Sequence, residues 1–152
     1  MNTGLLMKPV LIRERKIFLE MAKKHFKELN PNFVPFDDWK AHYFESIQSN
    51  ESIALRWITV KKKRVGFILF GVEKHRFLPR KIGAIYELYV VPKYRRRGIG
   101  RTCAGQVIDE LQALRVSRIQ LEVTKKNGKA ASLWRQLGFE KVSERFVFES
   151  AD

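Results

Sequence analysis

The 152-residue chain is poor in cysteine, in acidic residues and in long apolar runs. Its single cysteine, Cys103, excludes an internal disulfide and a cysteine-built zinc cluster, and favours a reducing compartment. No apolar stretch reaches the ~18 residues that a membrane span needs. Residues 1–10 carry one lysine and only short apolar runs, which is unlike a signal peptide. We therefore expect a cytoplasmic protein with no membrane partner.

Length and composition favour a single domain over residues 1–152. Hydrophobic residues make up 45% of the chain, and eleven phenylalanines, four tyrosines and three tryptophans can fill one core. The three histidines, His25, His42 and His75, have no metal-ligand spacing, so we expect no metal site.

Positive charge is the unusual feature that is present. There are 30 lysines and arginines against 16 acidic residues, which gives a net charge of +14. Residues 61–101 alone contain 13 basic and two acidic residues, so about a quarter of the chain holds most of the excess. Such a surplus favours an anionic partner: nucleic acid, acidic lipid or a phosphorylated ligand.

The hydrophobic pattern changes along the chain from helical to alternating and then mixes the two. Two helices are predicted first, then three antiparallel strands, and then helix, strand, helix and one or two terminal strands. This order indicates a mixed α/β domain. The predicted helices cover about 16–29, 37–48, 100–114 and 129–137, and the predicted strands 53–59, 65–72, 84–91, 119–123 and parts of 139–148.

A glycine-containing basic loop joins a strand to a helix at residues 92–101. Gly98 and Gly100 permit close approach of the backbone to a ligand, and the first amides of a helix attract anions. The loop lacks the Gly-Lys-Ser/Thr ending of a Walker A motif and the third glycine of the dinucleotide fingerprint. It therefore predicts a phosphate cradle of another type, to which four arginines add charge: Arg95, Arg96, Arg97 and Arg101.

Two blocks resemble the GNAT superfamily of N-acetyltransferases. Arg95–Gly100, after the strand Leu88–Pro92, resembles its acetyl-CoA signature, and Asn127–Phe139 resembles its second conserved segment. The resemblance implies an α/β (α+β) GNAT fold. This is a mixed, mostly antiparallel sheet of about 6–7 strands with about four helices, in which the central strands 84–91 and 118–124 splay apart.

The resemblance also implies acetyl-CoA as cosubstrate, with no metal. Backbone groups of the strand would pair with the pantetheine arm, the loop would hold the pyrophosphate, and the second block would line the arm's other side. The implied cofactor-binding residues are Leu88, Tyr89, Val90, Arg95, Arg96, Arg97, Gly98, Ile99, Gly100, Arg101, Asn127, Lys129, Ala130 and Trp134.

Catalysis by direct attack of a primary amine needs a base, and Glu87 is the only carboxylate on the central strand. The alternative is that Glu87 pairs with a nearby arginine. Trp134 departs from the tyrosine that the family often carries there, and an indole N–H cannot supply an acidic proton. Another group or water would then protonate the thiolate, or turnover would be slow.

Three functions follow as hypotheses. The first is acetyl transfer from acetyl-CoA to a primary amine of a small molecule or peptide. The second is a basic nucleic-acid or ribosome-associated module, and the third is an acyl-CoA-binding protein with little turnover.

The antiparallel order places the turn 61–64 beside the 93–101 loop, and the basic loop 73–81 at the opposite end, towards the acceptor. An additional anionic partner and a homodimer are further expectations.

Overall fold

The computed structural model describes residues 4–151 and contains one five-stranded sheet with helices on both faces. The strand order is β1-β2-β3-β4-β5; β1 to β4 pair antiparallel, and β4 and β5 pair parallel. No helix within these residues is long and apolar enough to cross a membrane. The elements are β1 (Leu5–Pro9), α1 (Arg15–Leu29), α2 (Asp37–Gln48), β2 (Ile53–Val60), β3 (Lys63–Lys74), β4 (Lys81–Val90), α3 (Ile99–Ala113), β5 (Arg118–Leu121) and α4 (Gly128–Gln136), with short 3-10 turns at Ile12–Glu14 and Pro92–Tyr94.

The core lies in two layers, one on each face of the sheet. Successive residues of a strand point to opposite faces, so Phe67 packs on one side of β3 and Ile68 on the other. Phe18 and Phe44 bring α1 and α2 onto the Phe67 side. Helices α3 and α4 cover the other side with Val107, Leu111 and Trp134.

Two differences from the predicted elements stand out. A strand, β1, pairs with β2 from Leu5↔Val60 to Pro9↔Arg56, although its five residues are too short to show alternation by themselves. The sheet has five strands among the described residues, not six or seven. The expected terminal strands are absent, because residues 139–151 have no regular structure and Phe146 and Phe148 are 88% and 92% exposed. Alternation alone does not provide a partner strand.

The basic turn between β2 and β3 is tighter than predicted. Lys61 and Lys62 both have left-handed backbone angles, φ 50° and 69°, as a two-residue hairpin turn requires. Lys63 already belongs to β3 and pairs with Val60. The hairpin places this turn at the end of the sheet where β4 terminates, since Val91 N–H donates to the Val65 carbonyl at 2.7 Å.

Candidate active site

A gap between β4 and β5 forms the centre of the candidate site. The two strands pair only from Ile82↔Arg118 to Ile85↔Leu121; beyond Ile85, residues 87–90 of β4 pair with β3 alone and Tyr86 lies at a β-bulge. One edge of β4 is therefore open over half its length. This is the splayed arrangement that the family resemblance implies.

The backbone groups along this open edge can be assigned from the hydrogen bonds to β3. Val91 N–H donates to β3, and backbone groups of successive residues alternate in direction. The amides of Leu88 and Val90 thus point into the gap, whereas those of Glu87 and Tyr89 point to β3. Arg95 Nε donates to the Val90 carbonyl at 2.7 Å from the open side, which agrees with this assignment. Leu88 and Val90 can therefore bind a ligand amide through their main chains.

The loop after β4 turns the chain into the N-terminus of α3. Arg96 has φ +63° and Gly98 φ +77°, and α3 begins at Ile99. The first amides of a helix have no acceptor within the helix, and the first turn of α3 carries no acidic residue. The amides around Ile99 and Gly100 with the helix dipole form a cradle that suits a phosphate or pyrophosphate.

The four arginines of the loop have different surroundings. Arg95 pairs with Glu28 of α1 at 2.6 Å and lies over the Tyr89 ring, so its charge is already partnered. Arg97 lies over the Tyr94 ring, and Arg101 Nη1 donates to Gln136 Oε1 at 3.2 Å, joining α3 to α4. Within residues 4–151, no carboxylate forms an ion pair with Arg96, Arg97 or Arg101. These three retain their charge for a ligand.

The second block provides the start of α4. Asn127 caps this helix, because its Oδ1 accepts from the Ala130 N–H at 3.2 Å. Lys129 in the first turn is exposed. Trp134 is 7% exposed and packs edge-on against Phe139, with ring centroids 5.5 Å apart. Its indole belongs to the core that joins α4 to α3.

Glu87 has a partner that the sequence did not reveal. His25 Nε2 of α1 lies 2.8 Å from Glu87 Oε2, and the histidine is 7% exposed. The expected alternative, an arginine partner for Glu87, is wrong for the described residues. His25 stands 62 positions away in a helix and has no motif around it, so only the packing of α1 onto β4 reveals the pair.

Aromatic rings surround this pair. The His25 ring contacts Phe67, Tyr89 and Phe26 at centroid distances of 5.7, 5.4 and 5.1 Å. The Tyr43 hydroxyl is buried without a hydrogen-bond partner among residues 4–151. Burial, and then the charge of Glu87, raise the pKa of Tyr43 well above its usual range, so its hydroxyl is neutral. The pair thus lies in a low-polarity environment.

Cys103 plays no part in this arrangement. Burial raises the pKa of the Cys103 thiol to about 12, so it is protonated and packed in the core. Residues 4–151 contain no group of three His, Cys, Asp or Glu side chains that could hold a metal ion.

Comparison with known proteins agrees with this geometry. The model of the acetyltransferase (GNAT) family matches residues 19–139. An uncharacterized N-acetyltransferase of Methanocaldococcus jannaschii is 26% identical over 129 residues, 81% of this chain and 55% of that protein. The [ribosomal protein bS18]-alanine N-acetyltransferase of Escherichia coli is 36% identical over 61 residues, 40% of this chain and 41% of that protein. The chain thus spans about half the length of the curated relatives it matches.

A solved structure shares the fold over almost the whole chain. Aminoglycoside N-acetyltransferase AAC(6')-Iy, in complex with CoA, has a TM-score of 0.75 at 14% identity, covering 97% of this chain and 95% of that one. The family model covers both the open edge of β4 and the cradle at α3. The chain therefore belongs to the GNAT family of acetyltransferases.

Proposed function

We propose that the protein transfers the acetyl group of acetyl-CoA to a primary amine of a small molecule or peptide. The observation that supports it best is the continuity of the site. The open edge of β4 leads directly into the cradle at α3, and Glu87 lies on the same part of the strand. Membership of the GNAT family supports this chemistry.

The cradle fits the phosphate end of the cosubstrate. Amides at the start of α3 and the charges of Arg96, Arg97 and Arg101 would hold the pyrophosphate, while Leu88 and Val90 would bind the amides of the pantetheine arm. When bound, acetyl-CoA supplies the acetyl group as a thioester. Asn127 is committed to capping α4, so its contribution is to fix the start of that helix beside the gap.

Glu87 and His25 would manage the proton of the acceptor amine. With Nε2 protonated, His25 donates to Oε2 and fixes the carboxylate, whose Oε1 has no hydrogen-bond partner within residues 4–151. Glu87 takes a proton from the amine directly or through a water, the new C–N bond forms, and the C–S bond breaks. The thiolate leaves with a proton from water, because the indole of Trp134 is not an acid.

A second candidate function is acyl-CoA binding with little turnover, which the replacement of the family's tyrosine by the buried Trp134 favours. The deciding experiment measures release of the CoA thiol from acetyl-CoA with a panel of amines: peptide N-termini, aminoglycosides and small amines bearing carboxylate or phosphate. We expect at least one class to raise thiol release well above background hydrolysis. Saturable acetyl-CoA binding with no stimulation by any class would instead establish the binding protein.

A further inference from the structure

A second basic surface lies at the end of the sheet remote from the cradle. Strand β4 runs from Lys81 at this end to Val90 beside the cradle, which separates the two by ~30 Å at the usual rise of a strand. The cations here are therefore too distant to serve the phosphates held at α3.

Two segments build this surface. In the β3–β4 hairpin, Lys74 pairs with Lys81 and the tip is closed by His75 N–H donating to the Arg80 carbonyl at 2.8 Å. The turn after α3 joins it, since Ser117 N–H donates to the Lys81 carbonyl at 2.8 Å. We call this surface the hairpin patch. It consists of Lys74, Arg76, Arg80, Lys81, Arg115 and Arg118.

No ion pair within residues 4–151 balances the charge of the hairpin patch, and Glu73, the acidic residue that precedes Lys74, accepts from the Tyr86 hydroxyl at 2.7 Å. All six side chains are exposed, and neither residues 74–81 nor residues 114–118 include an aspartate or glutamate. Within residues 4–151, no carboxylate forms an ion pair with any of the six, whereas Arg56, Arg64 and Arg95 elsewhere each have a glutamate partner. Six neighbouring cations repel one another, so an anionic ligand with several charges would relieve that repulsion.

The tip also presents an aromatic ring in a fixed turn. Phe77 is 83% exposed, and its N–H and that of Leu78 both donate to His75 Nδ1 at 3.1 Å. The ring lies edge-on to His75, with centroids 6.5 Å apart, and does not pack on the protein core. Arginine forks bind phosphates bidentately, and an exposed ring offers a stacking face to an unpaired base.

We propose that the hairpin patch binds single-stranded nucleic acid, with phosphates on the arginines and an unpaired base on Phe77. Four of the six cations are arginines, the side chain that best matches phosphate geometry. An acidic membrane is the less favoured partner, because Phe77 and the partly exposed Leu78 supply little apolar area for anchoring. This proposal does not depend on the acetyl-transfer reaction.

The test compares two charge-matched triple variants of the full chain under saturating acetyl-CoA, which occupies the cradle. Arg76→Gln, Arg80→Gln and Arg118→Gln together remove three charges from the patch. The control variant combines Arg13→Gln, Lys16→Gln and Lys24→Gln. It removes three charges from exposed positions of α1 and of the 3-10 turn that precedes it.

The probes are a 12-nucleotide RNA, the matching RNA duplex, and vesicles containing phosphatidylserine. We expect the patch variant to lose about tenfold or more in RNA affinity at ~0.1 M salt, and the salt slope to fall by about two. The RNA affinity and the salt slope of the control variant should change little.

Phe77→Ala and Phe77→Trp test the stacking role with the charge kept. We expect the alanine variant to bind the single strand about fivefold or more weakly, and the tryptophan variant to retain affinity. Equal losses in the two triple variants, duplex binding as tight as single-strand binding, or patch-dependent binding to vesicles but not RNA would each overturn the proposal. Acetyl-CoA affinity of the patch variant, measured by calorimetry, should equal that of the parent because the patch lies ~30 Å from the cradle, so failure here and failure of acetyl transfer remain distinguishable.

Discussion

The Nε2 atom of His25 lies 2.8 Å from Oε2 of Glu87, which joins α1 to the centre of β4. The side chains are 9% and 20% exposed, so the hydrogen bond forms where water competes weakly. One carboxylate oxygen is thereby fixed, and the other has no hydrogen-bond partner among residues 4–151. The pair makes Glu87 a positioned group rather than a mobile surface carboxylate.

Replacing Glu87 with glutamine tests its role as base. The amide keeps the size of the side chain but cannot take a proton, so we expect kcat to fall about a hundredfold or more. Acetyl-CoA affinity, measured by calorimetry, should be unchanged, because Glu87 points to the α1 side of the sheet. The control is Glu122→Gln, which removes an exposed carboxylate paired with Arg145. If E87Q retains the parent kcat, Glu87 is not the base.

Two variants of His25 separate positioning from simple packing. His25→Leu removes the donor to Glu87, and we expect kcat to fall about tenfold while KM for acetyl-CoA stays constant. His25→Gln retains an N–H donor and should recover part of that loss. Both variants replace a buried ring among Phe67, Tyr89 and Phe26, so urea unfolding should show similar destabilisation. If kcat follows stability and the glutamine variant is no better than the leucine variant, His25 has only a structural role.

The sequence was most informative where function depends on local chain geometry. The cradle could be predicted from Arg95–Gly100, because glycines, a preceding strand and a following helix are neighbours in sequence. The partner of Glu87 could not, since a lone histidine 62 positions away becomes relevant only when α1 packs on β4. Whether a segment forms a strand also depends on a pairing partner, which the sequence does not show. The short strand β1 forms because it joins the edge of β2, whereas residues 139–148 alternate in hydrophobicity but have no partner strand in the structure.

Lysines at the β2–β3 turn should contribute to recognition of the 3′-phosphate of CoA. The turn lies beside the end of β4, and Lys61, Lys62 and Lys63 are exposed, whereas Arg64 is bound to Glu14. We expect the triple lysine-to-glutamine variant to weaken CoA binding several-fold while leaving 3′-dephospho-CoA binding nearly unchanged. Calorimetry with both ligands measures this. Equal losses for the two would exclude a 3′-phosphate contact, and the α1 variant Arg13→Gln, Lys16→Gln, Lys24→Gln supplies the control for net charge.

Glu14 should make the folding stability of the protein depend on pH. Its carboxylate accepts from Leu11 N–H at 2.9 Å and Trp57 Nε1 at 3.1 Å, and it pairs with Arg64. The Leu11 hydrogen bond is the main cause that lowers the pKa of Glu14 below its usual 4.5, and the two side chains add to it. The stabilisation is complete above the unfolded pKa and is lost as pH falls through the lower folded pKa.

We therefore expect Glu14→Gln to be less stable than the parent at pH 7, with the difference shrinking as the pH falls below about 4.5. Urea unfolding at pH 7, 5, 4 and 3 would measure the difference. Glu149→Gln, at an exposed position, should follow the parent at every pH. A gap between parent and E14Q that stays constant down to pH 3 would show that the ionised carboxylate contributes nothing.

Two glycines in the same fold should respond to alanine in opposite directions. A Cβ on Gly66 would collide with the main chain of Tyr89 and Val90, and neither strand can move without losing the β3–β4 register that carries the open edge. We expect Gly66→Ala to lower the free energy of unfolding by about 3 kcal/mol. Gly105 lies inside α3 and a Cβ there meets nothing within 4 Å, so Gly105→Ala should raise it by about 0.5–1 kcal/mol.

Thermal unfolding would measure the stability changes of both variants, because about 1 kcal/mol corresponds to ~2–4 °C in Tm for a chain of this size. Gly66→Ala should also weaken acetyl-CoA binding, because the strand that it displaces presents the amides of Leu88 and Val90 to the gap. Gly105→Ala should leave that affinity unchanged, as its position on α3 lies beyond the first turn. A Gly66→Ala protein with parental Tm and affinity would mean that β3 and β4 are not held in the register that creates the open edge.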